Sequence, residues 1–238
     1  VPQSPTGPAG DDSGVKVSFD AGGASFTVQP GHGYVAVRTG LPGSFNVANA
    51  LAALAGAIEL GVDPDEAVAG LSGAGRVPGR FEPIDEGQQF AVLVDYAHTP
   101  DSVENVLRAA RGLTDGRLIA IVGAGGDRDR AKRPLMGKAG AELSDLAVIT
   151  SDNPRSEDPA AIIEDVLAGI RDRESVLVEQ DRDLAIGMAI REAGPGDTVV
   201  IAGKGHEQGQ EFENGRKIPF DDREVARKHL RELAGEAA

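Results

Sequence analysis

Apolar and polar positions first alternate in short blocks separated by glycine-containing turns: Val15-Lys16-Val17-Ser18-Phe19, Ser25-Phe26-Thr27-Val28 and Tyr34-Val35-Ala36-Val37. A period near two predicts three short antiparallel strands, an edge sheet. Ahead of them, Val1 to Gly14 is rich in Pro, Gly, Ser and Asp and shows no period, so it reads as a linker or leading segment. The period then lengthens. Val47, Leu51, Leu54, Ala55 and Ile58 fall at helical spacing over Ser44 to Leu60, with Ser44 the expected N-cap. Asp63-Pro64-Asp65-Glu66 starts a second helix with a cap, a first-position proline and a capping-box glutamate, ending at Gly70. Gly73 to Arg80 is glycine-rich and carries two arginines, which sets the expected domain boundary: residues 1–78 before it, 79–238 after it.

From Phe81 onward, strand and helix patterns alternate regularly, which predicts an α/β, mainly parallel sheet wrapped by helices. The strand candidates are Ala91–Val94, Leu118–Val122, Leu146–Thr150, Val176–Val178 and Thr198–Ala202. The helix candidates begin at Thr99-Pro100, at Asp158-Pro159 and near Asp183, and a last helix follows Asp221. Asn214-Gly215 between Phe212 and Ile218 signals a hairpin. Polar loops leave the carboxyl ends of the strands, where open α/β sheets bind ligands. One of them, Ser151-Asp152-Asn153-Pro154-Arg155, sets an anion, an amide, a rigid turn and a cation in sequence. Pro154 restricts Asn153 to extended conformations, so Asp152 and Arg155 are expected to project a fixed charge pair. A ligand with both ammonium and carboxylate groups would match it. A plain surface turn with an internal Asp152 to Arg155 ion pair is the open alternative.

Composition narrows the partners. The 238 residues suffice for two modest domains, and the net charge of -14 leaves no basic stripe for nucleic acid or an anionic membrane. The absence of cysteine removes thiol chemistry and fits a cytoplasmic protein. No apolar run approaches the roughly 20 residues of a membrane span, and Val1-Pro2-Gln3 is neither a signal peptide nor an initiating Met, so the chain is expected to begin inside a longer one. Gly123-Ala124-Gly125-Gly126 fails the dinucleotide fingerprint because its third glycine falls at Arg128. Gly203-Lys204 and Gly137-Lys138 both lack the remainder of a P-loop. The four histidines, His32, His98, His206 and His229, form no metal-binding spacing, so no metal site is expected in this chain. A charge inventory suited to a zwitterion remains, with Arg128, Arg155 and Arg133 available for carboxylates and Asp152 and Glu207 for ammonium groups. A plain diamine would set an arginine against an ammonium. Asn46 and Asn49, on one helix face, could meet a purine edge or a ribose, or simply be solvated.

Six ordered motifs resemble the Mur ligases of peptidoglycan synthesis. They are Gly43-Ser44-Phe45-Asn46-Val47-Ala48-Asn49-Ala50, Gly79-Arg80-Phe81-Glu82, Asp95-Tyr96-Ala97-His98-Thr99-Pro100, Gly125-Gly126-Asp127-Arg128-Asp129, Asp152-Asn153-Pro154-Arg155 and Gly203-Lys204-Gly205-His206-Glu207. The likeness covers nearly everything from Gly40 and is nearest to the members that add meso-diaminopimelate. It implies a carboxyl-terminal Rossmann-like domain preceded by the end of a P-loop-type ATPase domain. The family's P-loop, magnesium ligands and modified lysine, with its uridine-nucleotide domain, would lie upstream of Val1. The implied reaction is ATP-dependent amide formation. ATP phosphorylates the D-glutamyl γ-carboxylate of UDP-MurNAc-L-Ala-D-Glu, and the diaminopimelate amine attacks the acyl phosphate. Domain closure about a hinge near Gly79 would exclude water. By the same resemblance, Arg128, Asp152, Asn153, Pro154, Arg155, Gly203 and Glu207 would bind diaminopimelate, and Asn46, Asn49, Arg80, Asp95 and His98 would contact ATP. No catalytic residue is assigned within the chain, which alone should be inactive. A lysine-adding relative and a non-catalytic amino-acid-binding module are the competing readings.

Overall fold

The computed structural model describes residues 17–20, 23–31 and 33–236. The leading segment Val1 to Gly14, the start of the first strand at Val15 and Lys16, and His32 lie outside the described residues. Strands β1 (Val17–Asp20), β2 (Gly23–Gly31) and β3 (Gly33–Thr39) form an antiparallel sheet in that order. Alternate residues Ala24, Phe26 and Val28 point inward and meet Val47, Ala50 and Leu54 of helix α1 (Ser44–Glu59) and Val68 of α2 (Pro64–Gly73). Ser44 is not the cap. Gly43, at φ 100°, holds the N-cap position, and the buried Asn46 closes the turn by donating from Nδ2 to the Pro42 carbonyl at 2.8 Å. Asp63 caps α2 as its sequence implies, accepting from the N–H groups of Asp65 and Glu66, but the helix continues to Gly73.

A six-stranded sheet follows, built from β4 (Glu82–Pro83), β5 (Ala91–Asp95), β6 (Leu118–Ala124), β7 (Leu146–Ser151), β8 (Val176–Val178) and β9 (Thr198–Ala202). The strand order is β4-β5-β9-β6-β7-β8, parallel throughout except for β4, which runs antiparallel to β5. Its apolar runs are continuous because both faces are covered. In β6, Leu118, Ala120 and Val122 face the core under α3 (Pro100–Arg111), α4 (Lys132–Leu143) and α5 (Pro159–Leu167). Ile119 and Ile121 face the core under α6 (Arg182–Glu192) and α7 (Asp222–Glu236). Each of these fully buried leucine, isoleucine and valine side chains contributes about 1.5–3 kcal/mol. The β10 (Gly209–Glu211) and β11 (Lys217–Pro219) hairpin turns through Asn214 and Gly215, both at positive φ as the Asn-Gly signal requires.

Helix α4 carries no clear apolar period, because glycines occupy positions that face its neighbours. A Cβ at Gly137 would collide with the Val166 carbonyl of α5, and one at Gly140 would press on Val122 of β6 at 3.0 Å. Close helix packing has replaced the apolar stripe there. No helix among the described residues is long and apolar enough to cross a membrane.

Candidate functional site

The sheet splits at its carboxyl edge. β6 stays paired with β7 as far as Ala124 and Ser151, and β9 with β5 as far as Asp95 and Ala202, but β6 and β9 part company after Ile121 and Ile201. A cleft of about 370 Å³ opens over that parting. Six of the seven acceptor candidates line it: Arg128, Asp152, Asn153, Arg155, Gly203 and Glu207. Pro154 is buried behind it and lines a neighbouring groove instead.

Opposite charges are already paired inside the cleft. Lys204 is fully buried, with Nζ 2.7 Å from Asn153 Oδ1, 3.2 Å from Asp152 Oδ1 and 3.4 Å from Glu207 Oε2. Asn153 donates from Nδ2 to Glu207 Oε2 at 2.9 Å and accepts the Glu211 N–H on Oδ1 at 3.0 Å. The internal Asp152 to Arg155 ion pair, the open alternative for this loop, is therefore not formed, and both side chains line the cleft with partners from other elements. Asp152 turns to Lys204, and Arg155 donates from Nε to Glu211 Oε2 at 3.2 Å and from Nη1 to the Gly126 carbonyl at 2.7 Å. Pairing across elements rather than within the turn follows from the backbone, since Arg155 sits at φ 53° with its N–H bound to the Glu211 carbonyl. Asp127 also lies at positive φ, and its carboxylate receives the Ser156 N–H and hydroxyl. Strained backbone of this kind, costing about 1–3 kcal/mol per residue, persists only where surrounding contacts over-determine it.

At one end of the cleft two carboxylates, Asp152 and Glu207, share one ammonium, Lys204, leaving one net negative charge. At the other end Arg128, exposed and donating to the Asp127 carbonyl of its own loop at 3.0 Å, lines the cleft with Arg155. Arg133 also lines the cleft, but its guanidinium is buried and held by Glu157 and Asp165 at 2.6 and 2.9 Å, so its charge is already paired inside the protein while Nε has no partner among the described residues. Arg133 in turn holds the Glu157 carboxyl well below its usual range, at about 2.

The nucleotide candidates divide differently. Asn46 is buried and committed to Pro42, whereas Asn49 is exposed one turn along, so the two amides do not present a common surface. Asp95 is also buried. Its carboxylate receives the Phe81 N–H at 2.7 Å, with Phe81 at φ 48°, and burial raises its pKa above the ordinary value. It braces the Gly79-Arg80-Phe81 turn. Arg80 lies over the Tyr96 ring at 5.0 Å, and His98 and His206 pack against that ring at 4.5 and 5.4 Å. This aromatic and cationic shelf borders the cleft, and His98 lines it directly. Lys204 and Glu211 escaped the sequence reading. Lys204 stands with the failed P-loop, yet a lysine two residues after a buried strand and three before a glutamate is the available signal. Glu211 had none, since only the hairpin's fold brings it to Arg155. Among the described residues no group of three or more His, Asp or Glu side chains is arranged to hold a metal.

Residues 79–205 match the family Mur ligase, glutamate ligase domain. The chain is 54% identical over 82% of its length to the UDP-N-acetylmuramoyl-L-alanyl-D-glutamate-2,6-diaminopimelate ligase of Solibacter usitatus and covers 40% of that protein. It is 50% identical over 84% of its length to the Streptomyces coelicolor enzyme of the same name, again covering 40%. A solved structure of such a ligase superposes with a TM-score of 0.67 at 38% identity, over 92% of this chain and 45% of the other. The chain thus spans less than half the length of these relatives.

Proposed function

This chain belongs to the Mur ligase family, and we propose that it forms the carboxyl-terminal part of an ATP-dependent ligase that adds meso-diaminopimelate to UDP-MurNAc-L-Ala-D-Glu. In this reading residues 1–78 complete a central P-loop-type ATPase domain, and residues 79–238 form the Rossmann-like domain that receives the acceptor. The protein is cytoplasmic. Its phosphate cradle and modified lysine come from the rest of the enzyme. Magnesium, which the family uses with ATP, has no ligand set among the described residues, so its ligands would come from the rest of the enzyme.

The observation that carries the reading is the charge layout of the cleft. Arg128 and the outward edge of Arg155 can take a carboxylate, and the Asp152, Lys204 and Glu207 cluster, with one net negative charge, can take one ammonium. Diaminopimelate offers a carboxylate and an ammonium on the carbon held there, leaving its other amine to react. Asn153 and Gly203 give the end of the cleft its amide and its close backbone approach, and Pro154 backs the loop. That free amine attacks the acyl phosphate carbonyl, the amide bond forms as the carbon–oxygen bond to phosphate breaks, and the amine's proton leaves to solvent or phosphate. What this chain supplies is orientation, holding the amine in line with the carbonyl. Asn49, Arg80 and His98 are the ATP contacts we propose at the surface. Asp95 and Asn46 are proposed to act on ATP from below, by fixing the turns that carry Arg80 and Asn49.

Calorimetric titration with meso-diaminopimelate and L-lysine tests the acceptor. Selective binding of diaminopimelate supports the reading, and equal binding of both points to a broader acceptor and overturns it. For the reaction, phosphate release by the full-length enzyme must require both diaminopimelate and the UDP-MurNAc dipeptide.

A further inference from the structure

Below the cleft lies an ion pair that neither ligand-facing group explains. Arg182 opens α6 and Asp222 opens α7, and both side chains are 0% exposed. Nε and Nη2 of Arg182 each reach an Asp222 oxygen at 2.8 Å, a bidentate pairing. Burying such a pair sacrifices hydration, and well-packed apolar residues of the same volume would hold two helices to a sheet equally well. Stability alone does not account for it.

The remaining donors of the guanidinium do. Nη2 also meets the Ala202 carbonyl at 3.0 Å, and Nη1 the Ser151 carbonyl at 3.4 Å. These are the last residues of β9 and β7, which are not neighbours, since β6 lies between them. The sheet ladder cannot fix their spacing at this height because β9 has already left β6. Immediately beyond the two carbonyls begin Asp152-Asn153-Pro154-Arg155 and Gly203-Lys204-Gly205-His206-Glu207, the two halves of the cleft's polar end. A Cβ on Gly203 would lie 3.5 Å from Arg182 Nη2 and 3.6 Å from Asp152 Oδ2, so the three groups meet at one point. Burial acts against the Arg182 charge, but Asp222, aided by Asp152 and Glu207, more than offsets it.

We propose that Arg182, anchored by Asp222, is a positioning residue that sets the distance between the two strand-end loops of the acceptor cleft. It touches no substrate. The inference rests on the acceptor reading above, and its test is arranged so that the two can fail separately.

The full-length enzyme is made as wild type, Arg182→Lys, Arg182→Met and the pair Arg182→Met with Asp222→Leu. Arg182→Met alone strands the Asp222 carboxylate and is expected to melt early. The double variant removes both charges and is expected to melt near the wild type. In it the KM for diaminopimelate should rise roughly tenfold or more, as removal of a supporting contact does, with the KM for ATP within about twofold. Arg182→Lys, keeping the charge and part of the bonding, should fall between. Amide hydrogen exchange should quicken in residues 152–155 and 203–207 together while β6 at 118–122 stays protected. A double variant that melts near the wild type with unchanged exchange in both loops overturns the proposal. So does one whose KM values for acceptor and ATP rise alike. A wild-type enzyme that accepts no diaminopimelate refutes the acceptor reading instead, and the exchange data then decide the role of Arg182 on their own.

Discussion

Replacing Lys204 by methionine isolates what the internal ammonium does. The side chain is fully buried and its three acceptors lie at 2.7, 3.2 and 3.4 Å, so methionine conserves volume and removes only charge and bonding. Deleting one partner of a buried pair costs about 3–5 kcal/mol when the other is left uncompensated. Here the compensation is partial. The Glu207 side chain is 34% exposed and regains water, whereas Asp152, at 9%, keeps only the neighbouring Arg182 field. A cost at or just below the bottom of that range follows, about 2–3 kcal/mol. For a chain of this size that lowers Tm by roughly 4–12 °C. Scanning calorimetry at neutral pH measures it, alongside Lys204→Met combined with Asp152→Asn, which removes the stranded charge and should recover part of the loss. A second readout follows from the charge count. Without Lys204 the polar end of the cleft gains one negative charge, so the binding preference should shift from diaminopimelate toward L-lysine. A loss below about 0.5 kcal/mol, the usual scatter of surface substitutions, would refute the argument. So would a double variant no more stable than the single one.

Other substitutions probe separate links. Arg155→Ala removes charge-assisted bonds worth about 1.5–3 kcal/mol, so the full-length enzyme should lose about ten- to a hundredfold in KM for diaminopimelate. If its preference for diaminopimelate over lysine survives in competition assays, the carboxylate role of Arg155 falls. Gly79→Ala forces a Cβ into the backbone of Gly205 and His206 at a φ of +66°, and should lower Tm and weaken acceptor binding together. Wild-type Tm after this change would mean that the approach of the two segments is dispensable. Glu157, held at about 2 against a usual 4.5 by Arg133, stabilises the fold fully above pH 4.5 and loses that contribution as the pH falls toward 2. The Tm advantage of wild type over Glu157→Gln should therefore shrink across that window, and a constant difference would contradict the pairing.

Much of this fold could be read before any coordinates, for a physical reason. Strands covered on both faces must be apolar throughout, so Leu118–Val122 and Thr198–Ala202 stand out, and helices such as α3 announce themselves through Thr99-Pro100 and an apolar stripe. α4 hides because Gly137 and Gly140 trade apolar side chains for close approach. The gathering of Arg128, Asp152, Asn153, Arg155, Gly203 and Glu207 in one cleft follows from a single rule about strand ends in parallel sheets. What could not be read is who pairs with whom. A local sequence offers Asp152 to Arg155, three residues away, whereas the fold delivers Lys204 to the one and Glu211 to the other from more than fifty residues along. Arg182 and Asp222, forty residues apart, were invisible for the same reason.

That difference between local and delivered partners also bears on the hinge expected near Gly79. Gly79 itself is held in place. It is buried against Gly205 and His206, its N–H is held by Glu82 Oε2 at 2.7 Å, and two residues on the Phe81 N–H is held by Asp95 at 2.7 Å. The segment 79–81 is thus fastened to β5 and to the loop after β9, and moves with the cleft. Residues 74–78 just before it are exposed and bear few bonds, the features of a low-stability joint. In the proposed reading, a closing motion turning about 74–78 would carry Arg80, on its Tyr96 shelf, together with Lys204, Asp152 and Arg155, while Asn49 would stay with the smaller sheet and its helices. The proposed ATP contacts then lie on both sides of the joint and the proposed acceptor contacts on one side only. On that proposal nucleotide, by bridging the two sides, would be the ligand whose binding draws the loaded acceptor cleft toward the reacting carboxylate, whereas the acceptor by itself would have nothing to pull against.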